Sequence, residues 1–260
     1  VEISGRKVPR VVLGQHPYDG VTYTSWERDQ QYLRRWNGPR SMVELMKPVV
    51  QRFGLTASRR VPSETKLSEW HLEALRITME ELDTEIALVL GSGVPTNVQP
   101  ETAEYVYRLS LRLAERQFPA LWREDPIVRY GFERRRATKA DLDKFVRKAT
   151  ALPVAPPPEW KSVTVDYEKL DALLNQYRDF KVPLYASHAG IEFLVLARRF
   201  DELSEVSELV RRRIGNFFLG THYAGLIVPM AEEAKVRVDG YLTPINEAGI
   251  YMFPNQRLAV

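Results

Sequence analysis

The chain contains no cysteine. Disulfides, thiolate-bound zinc, iron–sulfur clusters and cysteine nucleophiles are therefore excluded together. No apolar run approaches the roughly 20 residues that span a bilayer. The opening Val1-Glu2-Ile3-Ser4-Gly5 also lacks the pattern of a secretory signal. Both features lead us to expect a cytoplasmic protein with no membrane partner. Charge of one sign is scarce as well. The 37 Lys and Arg stand against 34 Asp and Glu, a net +3, which alone is a weak argument for nucleic acid or an acidic ligand. Histidine is rare, with four in 260 residues, so its placement is informative.

What is present is an ordinary globular mix. Hydrophobic residues make up 44% and charged residues 27%, enough to bury a core. The length suits one large domain, and an α/β barrel needs about 250 residues. Arg10-Val11-Val12-Leu13-Gly14 is a short β-branched run that ends in Gln15-His16-Pro17-Tyr18-Asp19-Gly20, a strand followed by a loop. Residues 21–40 show no clear period. Ser41 to Phe53 reads as a helix, with Ser41 as its N-cap, Glu44 three residues on and Gly54 past its end. Segment 55–61 is ambiguous, because Ser58-Arg59-Arg60 makes a poor buried strand. Lys66 to Leu82 reads as a helix with Leu67, Trp70, Leu75 and Met79 near one face. His71 falls on what looks like its exposed part. Ile86 to Leu90 is a buried strand by composition and runs into Gly91-Ser92-Gly93, with a helix expected over Glu101 to Arg116.

Residues 118–160 break this rhythm. They carry Arg134-Arg135-Arg136, a helix expected from Lys139 to Lys148, and a closing Pro156-Pro157-Pro158 that favours a stiff extended connector. We read this stretch as an insertion or subdomain. Afterwards strands at 162–166, 182–186, 217–219 and 238–242 alternate with helices at 167–180, 191–213 (broken near Asp201) and 225–235. Such alternation argues for a parallel sheet. The expectation is a single α/β domain over 1–260, a (β/α)-barrel of the TIM type that stops a strand short at its C-terminus. An open doubly wound parallel sheet is the alternative.

Three of the histidines follow strands. His16, His188 and His222 each sit where an apolar run meets a small residue and then a polar one: Leu13-Gly14-Gln15-His16, Ala186-Ser187-His188 and Gly220-Thr221-His222. In a parallel α/β sheet the carboxyl ends of the strands share one edge, and in a barrel that edge holds the active site. Asn246 follows the last strand toward the same edge, and Ser92 and Gly93 follow the strand at 86–90. Three imidazoles meeting there offer two chemistries. They could hold a divalent zinc or manganese with an open position for water, or one could act as acid or base near neutral pH. Single strand-end histidines often just hydrogen-bond nearby backbone.

Other signals are weaker. Gly91-Ser92-Gly93 could cradle a cofactor phosphate, although Thr96 stands where Gly-x-Gly-x-x-Gly needs its third glycine, and a plain tight turn accounts for it too. Asp19, Asp166 and Glu247 follow strand ends and are candidate carboxylates, whereas Asp239 opens its strand and belongs to the opposite rim. Arg34-Arg35, Arg59-Arg60, Arg134-Arg135-Arg136, Arg198-Arg199 and Arg211-Arg212-Arg213 are dispersed basic clusters interleaved with acids. Such clusters are more often solvated faces than nucleic-acid contacts.

Leu13-Gly14-Gln15-His16 and Thr243-Pro244-Ile245-Asn246 resemble the strand-end loops of barrel enzymes, the aldo-keto reductase type among them. That type works with a Tyr, Lys, Asp and His. Here Asp19 and Tyr23 stand near the corresponding loop, and no Lys follows the strand at 86–90. Metal-dependent hydrolases of barrel fold are similar in carrying histidines at several strand ends. Their His-x-His after the first strand is Gln15-His16-Pro17 in this chain. The resemblance implies a barrel enzyme acting on a small polar substrate, most directly a metal-dependent hydrolase or lyase. The alternatives are a nicotinamide-dependent oxidoreductase, or a nucleic-acid-binding or assembly protein that uses the basic insertion.

Overall fold

The computed structural model describes residues 2–3, 6–7, 9–22, 25–63, 65–97, 138, 140, 161–182, 184–187 and 190–244. The helix expected at 101–116, nearly all of the stretch 118–160 with Arg134-Arg135-Arg136, and the residues Tyr23, His188, Asn246 and Glu247 lie outside the described residues. Among the described residues no helix is long and apolar enough to cross a membrane.

The chain is α/β. Near its start β1 (Glu2–Ile3) and β2 (Arg6–Lys7) pair antiparallel. The main sheet is parallel and five-stranded: β3 (Ala57–Arg60), β4 (Ala87–Ser92), β5 (Leu184–Ser187), β6 (Phe218–Gly220) and β7 (Gly240–Leu242), in that order. The order follows the chain without reversal, whereas a doubly wound sheet reverses at a switch point. By its contacts the chain divides into two compact units, Val1–Ser92 with Asn175–Tyr185, and Gly93–Leu174 with Ala186–Val260.

In the first unit, Ala57 pairs with Ala87 and Arg60 with Leu90. The strand expected at 10–14 is reduced to Leu13, whose N–H donates to Ala57 O at 2.9 Å and whose carbonyl accepts from Arg59 N at 2.7 Å. Val11 is exposed, so the apolar run is not buried along its length. The ambiguous segment is a true strand, with Ser58 and Arg60 buried inside it. Arg60 finds partners in Tyr177, Ser68 and His71, so its burial costs less than composition implies.

The aperiodic stretch before it holds a helix, α1 (Trp26–Arg35), capped by Ser25 Oγ, which accepts from Arg28 N at 3.3 Å. Asp29 of α1 is buried and anchors the preceding loop, accepting from Thr22 N at 2.9 Å and from its hydroxyl at 2.8 Å. One polar anchor replaces an apolar stripe here, which is why no period shows. Next, α2 (Pro39–Phe53) begins at Pro39 rather than after Ser41, with Gly38 as its cap. Proline at the first position has its φ preset and lacks an N–H that would go unpaired anyway. Ser41 instead donates to Gly38 O at 2.6 Å.

The next helix, α3 (Lys66–Leu82), is capped by Thr65 Oγ1, which accepts from Ser68 N at 3.2 Å. It buries Ser68, His71, Ala74, Leu75 and Thr78, a stripe at helical spacing but offset from the one drawn through Leu67 and Trp70. His71 is therefore fully buried, not exposed.

In the second unit, the strand expected at 162–166 is a single antiparallel bridge between Val165 and Thr96. Asp166 ends it by capping α4 (Tyr167–Asn175): Oδ1 accepts from Lys169 N at 3.0 Å. The helical region 191–213 is two helices, α5 (Ile191–Leu196) and α6 (Phe200–Ile214), broken at 197–199. Ala186 and Ser187 pair with β6, and β6 pairs with β7. The connection α7 (Ala224–Glu233) lies between β6 and β7. Asp239 sits at the amino end of β7, as its position implied. Its Oδ2 accepts from Phe217 N at 2.7 Å and from Arg211.

Candidate functional site

A polar cluster with a raised carboxyl stands at the carboxyl end of the strands of the second unit. After β5 the chain turns at Gly190, whose φ is +84°. A Cβ at Gly190 would also collide with the carbonyl oxygen of Val94, so no other residue fits this turn without strain. The turn starts α5 and sets Glu192 in its first helical turn. After β6 the chain runs Thr221-His222-Tyr223 into α7. Glu192 Oε1 accepts from Thr221 Oγ1 at 2.9 Å and from His222 N at 3.3 Å. Thr221 Oγ1 in turn accepts from Tyr223 N at 2.9 Å. Thr221 N donates to Leu242 O at 3.0 Å, which brings it beside the end of β7. There Thr243 Oγ1 is buried with no hydrogen-bond partner among the described residues.

Burial pushes the Glu192 carboxyl up to about 7 from its ordinary 4.5, against two hydrogen bonds that favour the charged form. Desolvation wins because both bonds fall on one oxygen and no cation stands opposite among the described residues. Burial also lowers the His222 imidazole to about 4, so it is neutral at pH 7. A carboxyl poised near neutrality, held by the Thr221 hydroxyl and the His222 backbone N–H, can donate or accept a proton under ordinary conditions. Glu192 was not among the residues singled out from sequence. The available signal was its place in the first helical turn after a predicted strand, two residues past Gly190.

The other sequence candidates fall as follows. His16 is exposed in the first unit. Its neighbour Gln15 is buried and joins the loops after Leu13 and after β3. Gln15 Nε2 donates to Asp19 Oδ2 at 2.7 Å and to Val61 O at 2.8 Å, and Gln15 Oε1 accepts from Val61 N. Ser92 belongs to β4, two residues beyond the strand end expected at Leu90. It is buried, with its hydroxyl 2.5 Å from Tyr185 Oη. Gly93 follows it and is half-buried. Asp166 serves as the helix cap described above. His188 and Asn246 lie outside the described residues. Among the described residues no three His, Asp or Glu side chains are grouped so as to hold a metal ion.

A second polar cluster lies in the first unit, against α3. Arg60 is buried, donating from Nη1 to Ser68 O at 2.9 Å and from Nε to Tyr177 Oη at 3.4 Å. His71 Nδ1 is 3.5 Å from Arg60 Nη1. A guanidinium only donates, so Nδ1 is the acceptor and Nε2 carries the proton. That Nε2 is buried without a hydrogen-bond partner among the described residues. Burial first, and the Arg60 charge second, lower the imidazole to about 3. Tyr18 stacks on His71 with ring centroids 4.8 Å apart and on Trp36 at 5.3 Å. The neutral ring and the stack make this cluster a packed polar core.

Comparison of the chain with protein-family models, with curated proteins and with solved structures finds no match.

Proposed function

We propose that this chain is an enzyme acting on a small polar substrate at the carboxyl edge of its parallel sheet, as a hydrolase or lyase, with Glu192 as its proton-transfer group. The observation that carries this reading is the Glu192 carboxyl, raised to about 7 beside Thr221 and His222. Carboxyls tuned to neutrality supply acid–base catalysis worth about 10²–10⁴-fold in rate. The carboxyl edge is where parallel α/β sheets place their chemistry. The unreversed strand order favours the barrel over the doubly wound sheet, and the barrel is part of the proposal. In the metal-dependent form of this reading His222 is a ligand, since it stays neutral down to about pH 4, the form that binds zinc or manganese.

Titration of the Glu192 carboxyl by carbon NMR is the direct test. A midpoint near 7 is expected, and a midpoint at the ordinary 4.5 would remove the reading. A panel of chromogenic carboxylic and phosphoric esters, assayed with wild type and Glu192→Gln, then reads the chemistry. Turnover should fall about 10²-fold or more in the variant. Metal analysis of the purified protein separates the two forms. Bound zinc or manganese lost in His222→Ala supports the metal form, and full activity in chelator supports the acid–base form.

A further inference from the structure

The structure assigns an oxyanion-binding site to Arg59, in the unit formed by Val1–Ser92 and Asn175–Tyr185. Arg59 lies opposite Val89 of β4. Strand side chains alternate between faces, so Arg59 leaves the sheet on the side away from Arg60, whose face is covered by Ser68 and His71 of α3. The guanidinium does not stand straight out. It reaches two residues along β4 toward the carboxyl end and lies against Gly91, where a Cβ would collide with Nη2, Cζ and Nη1. Gly91 is the residue whose missing side chain leaves room for it. Nη1 donates to Val89 O at 3.3 Å. Nε and Nη2 make no hydrogen bond, and no carboxylate pairs with the group, among the described residues.

The neighbouring arginine shows how this fold handles a cation used for packing. Arg60 is surrounded by a carbonyl, a hydroxyl and an imidazole nitrogen. Arg59 is seated by Gly91 but has no counter-ion among the described residues, and burial lowers its pKa to about 10. A cation drawn out of water and left unpaired is costly. The cost is recovered when an anion arrives. The edge of the guanidinium formed by Nε and Nη2 presents two parallel N–H groups, the spacing that matches two oxygens of a carboxylate or a phosphate. The fixed position against Gly91 means little side-chain freedom is lost on binding. Arg59 is half-buried, which leaves part of the residue open to a ligand. The ligand class is a small organic anion held by its carboxylate or phosphate group. The assignment does not depend on Glu192.

Thermal unfolding and calorimetric titration of the full chain, with inorganic phosphate and with acetate at constant ionic strength against chloride, test it. At least one of the two anions should raise the melting temperature of wild type saturably. A response to phosphate alone assigns phosphate ligands, and a response to acetate alone assigns carboxylates. Arg59→Met should weaken the response about tenfold or more. Arg59→Lys keeps the charge but loses the fork, and should weaken it as well. In chloride, Arg59→Met should melt no lower than wild type, because it removes a half-buried charge that has no counter-ion among the described residues. The assignment is overturned by wild type that responds saturably to neither anion, or by Arg59→Met that keeps the response. It is equally overturned by Arg59→Met that melts well below wild type or does not fold, since the guanidinium would then be a structural cation.

Discussion

At the level of single residues, this chain uses polar groups in places where composition alone would put apolar ones. Glu192 is the clearest case. Its folded pKa of about 7 lies above the ordinary 4.5, so the folded state holds a proton that the unfolded chain releases between these values. The stability linked to it is complete below pH 4.5 and is lost as pH rises through 7. Glu192→Gln keeps the acceptor for Thr221 and His222 N and cannot ionise. We expect the variant to exceed wild type in stability at pH 8 by up to about 3 kcal/mol, and to show little difference at pH 4. Urea denaturation at the two pH values measures this. An equal difference at both would mean that Glu192 titrates normally. Of the candidate residues read from sequence, His222 does stand in this cluster, because the pattern of strand, small residue, polar residue and His located its loop. The carboxyl beside it was not legible. Its partner Thr221 is 29 residues away, and a shift made by burial leaves no mark in local sequence.

At the level of elements, the helices were read well where an apolar stripe or a terminal glycine marked them, and poorly where they were anchored by polar groups. Terminal chemistry explains a further feature of α3. Its C-cap is Asp83 in the left-handed region, at φ 45° and ψ 50°, where a side chain crowds the backbone. The Asp83 carboxylate makes no hydrogen bond or ion pair among the described residues. Asp83→Gly should therefore stabilise the protein, by about 0.5 kcal/mol after the entropy that glycine adds to the unfolded chain. The denaturation midpoint would rise with an unchanged slope, and a fall in the midpoint would count against this account. The same weighing applies to β3. Ser58-Arg59-Arg60 was a poor strand by composition, yet parallel pairing with β4 and partners from α3 make it one. Strand preference reflects what packs around the strand more than the residues themselves.

At the level of the whole molecule, the two units respond differently to acid. In the first, His71 has a folded value near 3, depressed below the ordinary 6.5. The stability linked to it is present above pH 6.5 and is lost as pH falls toward 3, by up to about 1.4 kcal/mol per pH unit. In the second, His222 loses stability in the same direction, while Glu192 regains it as pH falls from 7 to 4.5. Between pH 6.5 and 4.5 these two nearly cancel. Hydrogen exchange, corrected for the intrinsic rate, should therefore show protection in α3 falling across this window while that in α7 stays nearly constant. Equal loss in both helices would contradict it.

By itself the sequence determined the class: apolar runs of strand length, alternating with helices and ending in turn residues, specify a parallel α/β sheet and locate the loops at its carboxyl edge. Such patterns are local and periodic, so they can be read along the chain. The tertiary structure alone decided which polar side chains lie inside. Arg60 meets Tyr177 across 117 positions, His71 turns inward under Tyr18, Arg59 settles against Gly91, and Glu192 meets Thr221 in a part-buried contact. The cost of burying a polar group depends on what surrounds it in space, and those surroundings exist only once distant segments have packed together.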